Sequence, residues 1–272
     1  AVDEVLRGHM LTHGPRCADF ERRFAELIGV KHAVTTSSCT TALHLALVTL
    51  DIGPGDEVIV PAETQVATAH VVEHGGARPL FADVSRATGN IDPAAVRAAI
   101  GPKTRAIIVV HYLGLPCDMD ALAAVADGAG IPIVEDCALA LGARYDDKAA
   151  GALGLAGCFS FYPVKHITTM EGGMLVTDDD RVAELVRRKR AFGYDKGLTE
   201  RKVPGIYDIA MLGYNYRMSE AQAAVGLAQL DRLDGFLAKR RANSDALHGR
   251  LADIDGVTTF PLHRGLAESA RY

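Results

Sequence analysis

Lys165 follows a short aromatic run in Phe159-Ser160-Phe161-Tyr162-Pro163-Val164-Lys165 and leads into His166-Ile167-Thr168-Thr169-Met170-Glu171-Gly172-Gly173. An amine just past a short strand, among small residues, suits Schiff-base chemistry better than surface solvation. Once deprotonated and positioned, it bonds covalently to an aldehyde. Asp136 closes the run Ile131-Pro132-Ile133-Val134-Glu135-Asp136. A carboxylate there either pairs with a protonated ring nitrogen or caps the next turn, whereas Glu135 points to the opposite side of the strand and is the poorer candidate. Ser38-Cys39-Thr40-Thr41 opens an apolar helix, where unpaired amides and hydroxyls suit a phosphate dianion, although ordinary helix caps use the same residues. Ser160 adds a hydroxyl near the lysine. Amine, carboxylate and phosphate cradle are the three anchors that pyridoxal phosphate needs.

A second polar segment, Leu212-Gly213-Tyr214-Asn215-Tyr216-Arg217-Met218-Ser219-Glu220, precedes a helix. Asn215 is able to donate to phosphate. Arg217 reads first as a structural ion pair and second as a carboxylate ligand. Gly142, Gly151, Gly154 and Gly157 permit tight turns around the lysine loop but identify no ligand.

The elements that must hold these groups alternate along the chain. Phe20, Phe24, Leu27 and Ile28 recur at helical spacing from Asp19, with Gly29 as a stop. Ala33–Thr35 reads as a strand, Thr41–Leu50 as a helix, Glu57–Val60 as a strand and Gln65–Glu73 as a helix. Arg78–Ala82 is the next strand, and Asp92-Pro93 opens a capped helix. Strand Arg105–His111, helix Met119–Ala129 and strand Ile131–Glu135 continue the pattern. Phe159–Tyr162 and Met174–Thr177 read as strands flanking the lysine loop. Ser219-Glu220-Ala221-Gln222 is a capping box for one long helix reaching about Arg241. Strands rich in Ile and Val on both faces imply an α/β fold with a mainly parallel sheet covered by helices. Function then gathers at strand carboxyl ends and the amino ends of the helices that follow.

The whole chain narrows the possibilities. Its 272 residues suffice for one large core with a smaller appendage, and 49% apolar content with 27 glycines indicates an enzyme-like globule. A net charge of -5 gives no general attraction for nucleic acid or anionic membrane. The basic runs at 187–190 and 239–241 read as solvated helix faces or subunit contacts. No apolar run approaches the ~20 residues of a membrane span, and the first residues do not read as a signal peptide. Five cysteines without a CxxC pair point to thiols in a reducing, cytoplasmic setting. The histidines show no HExxH spacing, so no metal centre is expected.

Taken together, these segments resemble the DegT/DnrJ/EryC1/StrS aminotransferase family, the sugar aminotransferases. The likeness runs from Leu11-Thr12-His13-Gly14-Pro15 to the helix ending near Leu233. It includes Thr40-Thr41-Ala42-Leu43-His44-Leu45-Ala46-Leu47, Pro61-Ala62-Glu63-Thr64-Gln65-Val66-Ala67-Thr68 and Pro116-Cys117-Asp118-Met119-Asp120. Val134-Glu135-Asp136, Ser160 to Gly173 and Gly213 to Glu220 match most strongly. The resemblance implies a three-layer α/β/α transferase fold of type I. Residues 1–240 would form a large cofactor-binding domain and 241–272 the start of a C-terminal small domain, which is expected to be incomplete. It also implies a pyridoxal-phosphate-dependent homodimer with shared active sites. Lys165 would carry the cofactor, Asp136 would pair with the ring nitrogen, and Thr40 and Ser160 would hold phosphate. Cys39 and Gln65 would line the cofactor, and Asn215 would reach the phosphate in the neighbouring subunit. The implied activity moves an amino group, commonly from glutamate, to a keto group on a nucleotide-linked sugar or related cyclitol.

Four positions depart from the family pattern. Cys39 and Met170 stand where glycine is usual, Gln65 where an aromatic or histidine stacks on the ring, and Leu139 where histidine or glutamine is usual. The departures at Gln65 and Leu139 keep a sugar dehydratase or lyase open as the alternative, with a non-catalytic regulatory homologue behind it.

Overall fold

The computed structural model describes residues 1–195, 206–264, 267, 268 and 270. Seven strands make the central sheet: β1 (His32–Thr36), β2 (Glu57–Pro61), β3 (Arg78–Ala82), β4 (Thr104–Val110), β5 (Ile133–Asp136), β8 (Ala156–Ser160) and β9 (Gly173–Thr177). Their order is β1-β9-β8-β5-β4-β2-β3. The pairs β2–β3, β2–β4, β4–β5 and β5–β8 are parallel, and β8–β9 and β1–β9 antiparallel. The expected mainly parallel sheet is present. Its antiparallel side follows from the lysine loop, which joins β8 directly to β9 with no crossover helix.

Alternation along the strands explains the layers. Val58, Val60, Ala106 and Ile108 face one side, where Leu43 and Leu47 of α3 (Cys39–Thr49), Val71 and Val72 of α4 (Val66–His74) and Val182 and Val186 of α7 (Asp180–Lys189) cover them. Ile59, Ile107 and Val109 face the other, against Val96 of α5 (Pro93–Ala99) and Leu122 and Val125 of α6 (Met119–Ala129). A third cluster packs Phe20 and Phe24 of α2 (Pro15–Ile28) and Ala223 and Leu227 of α8 (Glu220–Leu230) onto Phe159 and Phe161. The central strands are dry on both faces, in keeping with their few polar residues, whereas the edge strand β3 is partly exposed.

Helix α2 begins at Gly14, which offers no side-chain cap. Buried Glu220 supplies one from a distance, accepting from the amides of Gly14 (2.9 Å), Arg16 (2.8 Å) and Cys17 (3.0 Å). A side chain on Gly14 would overlap that carboxylate. Gly29 ends the helix in the left-handed region at φ 82°.

Several boundaries differ from the sequence expectation. The capping box of Ser219 and Gln222 is formed, but the helix ends at Leu230 and a second one, α9 (Leu233–Leu251), starts after Asp231 and Arg232. Leu227, Leu230, Leu233 and Leu237 keep one helical spacing across this break, and no glycine or proline marks it. β8 starts at Ala156 rather than Phe159, because Val134, Glu135 and Asp136 pair with residues 156–158. Helix α1 (Val2–Arg7) and the short strands β6 (Arg144–Tyr145) and β7 (Lys148–Ala149) were not foreseen. The expected boundary at 240/241 falls within α9. Beyond it, β10 (His263–Arg264) and β11 (Ala267–Glu268) extend a small sheet in which β11 pairs with β6.

Candidate active site

Three neighbouring strands place one row of residues at the same sheet end. Ser160 of β8 pairs with Gly173 of β9, and Gly173 pairs with Thr36 of β1. Gly173 lies against the backbone of Ser38 and Cys39, and any side chain there would overlap it. This contact seats the amino end of α3 directly beside Ser160. Within that end, Ser38 and Thr41 cap each other: Thr41 N donates to Ser38 Oγ and Ser38 N to Thr41 Oγ1, both at 3.1 Å. The first amides of a helix have no acceptor within it, so those of Cys39 and Thr40 remain for an outside anion. The cap and the cradle therefore coexist, carried by different residues of one segment.

Cys39 turns its side chain inward, away from a role as a bare turn residue. Its Sγ lies 3.4 Å from the Cys158 carbonyl and 3.9 Å from Asp136 Oδ1. Burial pushes the thiol pKa well up, and Asp136 adds to the rise.

Asp136 is buried at the carboxyl end of β5. Its Oδ1 accepts from Ala138 N at 3.1 Å and its Oδ2 from the Thr68 hydroxyl at 3.0 Å. Thr68 in turn shares a 2.8 Å hydrogen bond with the Thr64 hydroxyl. Burial raises the Asp136 pKa; the Ala138 amide, the Thr68 hydroxyl and the charges of Lys165 and His111 oppose that rise without cancelling it. Sequence reasoning missed Thr68. Its only signal was a small hydroxyl residue one turn inside a helix that starts at a strand end.

Lys165 is half-buried in the loop between β8 and β9. Its charge acts on both Asp136 and Cys39, which ties the amine to the carboxylate and the α3 amino end. The loop is held by its own backbone. Lys165 N donates to Tyr162 O (3.0 Å), and Phe161 O accepts from Thr169 N (2.9 Å) and Thr168 Oγ1 (3.0 Å). Arg240 reaches across from α9 to the Lys165 carbonyl at 3.4 Å. Thus Lys165, Asp136, Cys39, Thr40 and Ser160 gather at one sheet end.

Gln65 and Asn215 are placed differently. Gln65 is exposed, and its carboxamide oxygen caps α4 by accepting from Ala67 N at 2.5 Å. Asn215 is exposed and itself forms an isolated antiparallel bridge to Ala191. Arg217 lies over the Phe192 ring, 4.9 Å from its centroid, a packing role; among the described residues no ion pair is seen for it. Leu139, half-buried, follows Ala138 and carries no polar group toward Asp136.

Behind Asp136, Glu135 is fully buried with four donors. Leu153 N (2.8 Å) and Gly154 N (2.7 Å) reach Oε1; Gly151 N (2.7 Å) and His111 (2.9 Å) reach Oε2. His111, Glu135 and Cys137 have ligand atoms within 4.8 Å of one another, but Glu135 has no oxygen to spare. It ties the glycine turn at 151–154 to the strand that carries Asp136.

The model of the DegT/DnrJ/EryC1/StrS aminotransferase family matches residues 1–271. The spore coat polysaccharide biosynthesis protein SpsC of Bacillus subtilis (strain 168) is 41% identical over 265 residues, covering 96% of this chain and 68% of SpsC. DesI, solved in the presence of its TDP-sugar product, superposes with a TM-score of 0.89 at 38% identity, over 99% of this chain and 66% of its own. The PLP-form of Spr1654 from Streptococcus pneumoniae gives a TM-score of 0.92 at 31% identity, over 99% and 72%.

Proposed function

The chain belongs to the DegT/DnrJ/EryC1/StrS aminotransferase family, and we propose that it uses pyridoxal phosphate to move an amino group from glutamate to the keto group of a nucleotide-linked sugar. The observation that carries this reading is the convergence of Lys165, buried Asp136 and the open amino end of α3. These residues fit the cofactor. Two helix amides and the hydroxyls of Thr40 and Ser160 suit a phosphate dianion. A buried carboxylate suits a pyridine nitrogen, and a half-buried amine suits an aldehyde. When bound, pyridoxal phosphate supplies that aldehyde and an electron-withdrawing ring.

The chain's own groups do the rest. Lys165 Nζ would hold the cofactor through its aldehyde and, once displaced by the incoming amine, would serve as the base that takes the donor's α-proton and the acid that returns it. The same nitrogen runs the transfer in reverse on the keto sugar. Asp136 holds the proton on the ring nitrogen. Its carboxylate is steadied by Thr68 and Ala138, and burial removes the water that would screen it. Ser160 and the α3 amides fix the phosphate, so that the ring does not drift while the proton moves.

DesI's TDP-sugar product and the place of SpsC in spore coat polysaccharide biosynthesis support a sugar acceptor. The proposed assembly is a homodimer in which Asn215 reaches the partner's phosphate; its exposure supports that geometry. We place the enzyme in the cytoplasm on the five free thiols. Among the described residues, no helix is long and apolar enough to cross a membrane.

The reaction is tested with ¹⁵N-glutamate and a panel of nucleotide-linked keto sugars, read by product mass. Labelled aminosugar is expected together with 2-oxoglutarate. A deoxy product without nitrogen would replace transfer by elimination, and activity confined to small free keto acids would remove the sugar.

A further inference from the structure

Tyr214, Asn215 and Tyr216 form one extended stretch with backbone hydrogen bonds on both edges. Tyr214 N donates to Lys189 O at 2.6 Å and Tyr216 N to Arg190 O at 2.9 Å, while Tyr216 O accepts from Ser37 N at 2.8 Å. Side chains alternate along such a stretch. Tyr214 and Tyr216 accordingly share one face, their rings stacked with centroids 4.8 Å and planes 9° apart. Both pack on the core cluster to which α3 contributes. Asn215 takes the other face and is exposed. His44 of α3, only 5% exposed, meets the two rings. Its Nδ1 shares a 3.2 Å hydrogen bond with the Tyr216 hydroxyl, and its ring stands T-shaped to Tyr214 at 5.1 Å.

We propose that His44 is a positioning residue for Asn215: through Tyr216 it fixes the roll of this stretch, and so the direction in which Asn215 is offered to the partner's phosphate. The role rests on the shared-site reading above. Hydrogen bonds along the edges set where the stretch lies but leave it able to turn about its own axis; rings docked on a buried side chain remove that freedom. A binding group works when packing and hydrogen bonds behind it lock its direction. Two observations favour this role over a histidine that only fills the core. Its hydrogen bond runs out of its own helix to the neighbour of Asn215, 172 positions along the chain. Ser37, just before the phosphate cradle, donates to the same Tyr216. The helix that builds one subunit's cradle therefore also steers the group which that subunit lends to its partner.

The test uses heterodimers isolated with two different affinity tags. One chain carries Lys165→Ala and lends its Asn215; the other carries Asn215→Ala and bears the Lys165. Pyridoxal phosphate is titrated in, trapped with borohydride and quantified on Lys165 by peptide mass, which reads the affinity of one defined site without turnover. Tyr216→Phe keeps the ring and removes only the hydroxyl. In the lending chain it is expected to weaken trapping by about two- to tenfold, the worth of one hydrogen bond. In the chain that bears Lys165 it is expected to change nothing. His44→Leu in the lending chain is expected to match it, and the two together to weaken trapping no further than either alone. Equal weakening from either chain, none from the lending chain, or additive effects of the two substitutions would overturn the role of His44 while the shared site stands. A parent heterodimer that traps the cofactor no more tightly than the Asn215→Ala homodimer would remove the shared site, and the role with it.

Discussion

Asp136 is held between two opposing effects, and a threonine contributes to one of them. Burial drives its pKa up while the Ala138 amide and the Thr68 hydroxyl pull it down. Thr68→Val keeps the shape of the side chain and removes the hydroxyl, leaving Oδ2 short of a donor, a loss worth about 1–3 kcal/mol. If that loss falls on the state in which Asp136 holds the ring proton, kcat drops by roughly tenfold or more with KM for glutamate nearly unchanged. Thr68→Ser is expected to restore it. Steady-state kinetics of the two variants check this, and wild-type kcat in Thr68→Val would contradict it. Lys165 and Asp136 were legible in the sequence because their residue types are rare beside a buried strand. Thr68 was not, since a helical threonine is unremarkable until α4 is seen to dock its first turn on the end of β5. Cys39 was legible as a departure, but its inward direction was not.

The elements were readable where local chemistry decides them and opaque where packing does. Caps announced the starts of α5 and α8, whereas the break between α8 and α9 left the apolar spacing intact and so left no mark. The lysine loop shows a local strain that the sequence does flag. Met170, in a position where glycine is usual, has φ 70°, in the left-handed region, with its side chain exposed. An L-residue there is disfavoured by about 1 kcal/mol relative to glycine, and no buried contact is lost with an exposed side chain. Met170→Gly is therefore expected to stabilise the fold by up to about 1 kcal/mol. A higher urea midpoint at unchanged slope is the check; a lower midpoint would mean that Met170 makes a contact worth more than its strain. Gly173, by contrast, is fixed by close approach, since the α3 amino end occupies the space a side chain would need.

At the scale of the molecule, the proposed dimer gives a purpose to a surface that a lone chain leaves bare. Leu212 is 81% exposed, with Ile206, Tyr207 and Ile209 exposed beside it and Asn215 close in sequence. A two-fold interface presents the same patch from both subunits, so Asn215 of each chain is offered to the other. Lys165→Ala and Asn215→Ala are each expected to be impaired. Co-refolded in equal amounts, they are expected to recover about a quarter of wild-type activity, because half the dimers carry one site with both native groups. No recovery would place Asn215 in its own subunit's site or outside the chemistry. The mainly parallel, helix-covered sheet was legible from the alternation of apolar strands and helices, and the three-layer fold from the family resemblance; the small sheet of β6, β7, β10 and β11 was not, because two-residue strands have no period to read. Borohydride reduction of the pyridoxal-phosphate-loaded protein, followed by peptide mass mapping, tests the site most directly. The reduced cofactor is expected on Lys165 alone, with Lys165→Ala holding cofactor through its phosphate but yielding no covalent adduct. An adduct on another lysine, or none on the unsubstituted protein, would contradict the assignment.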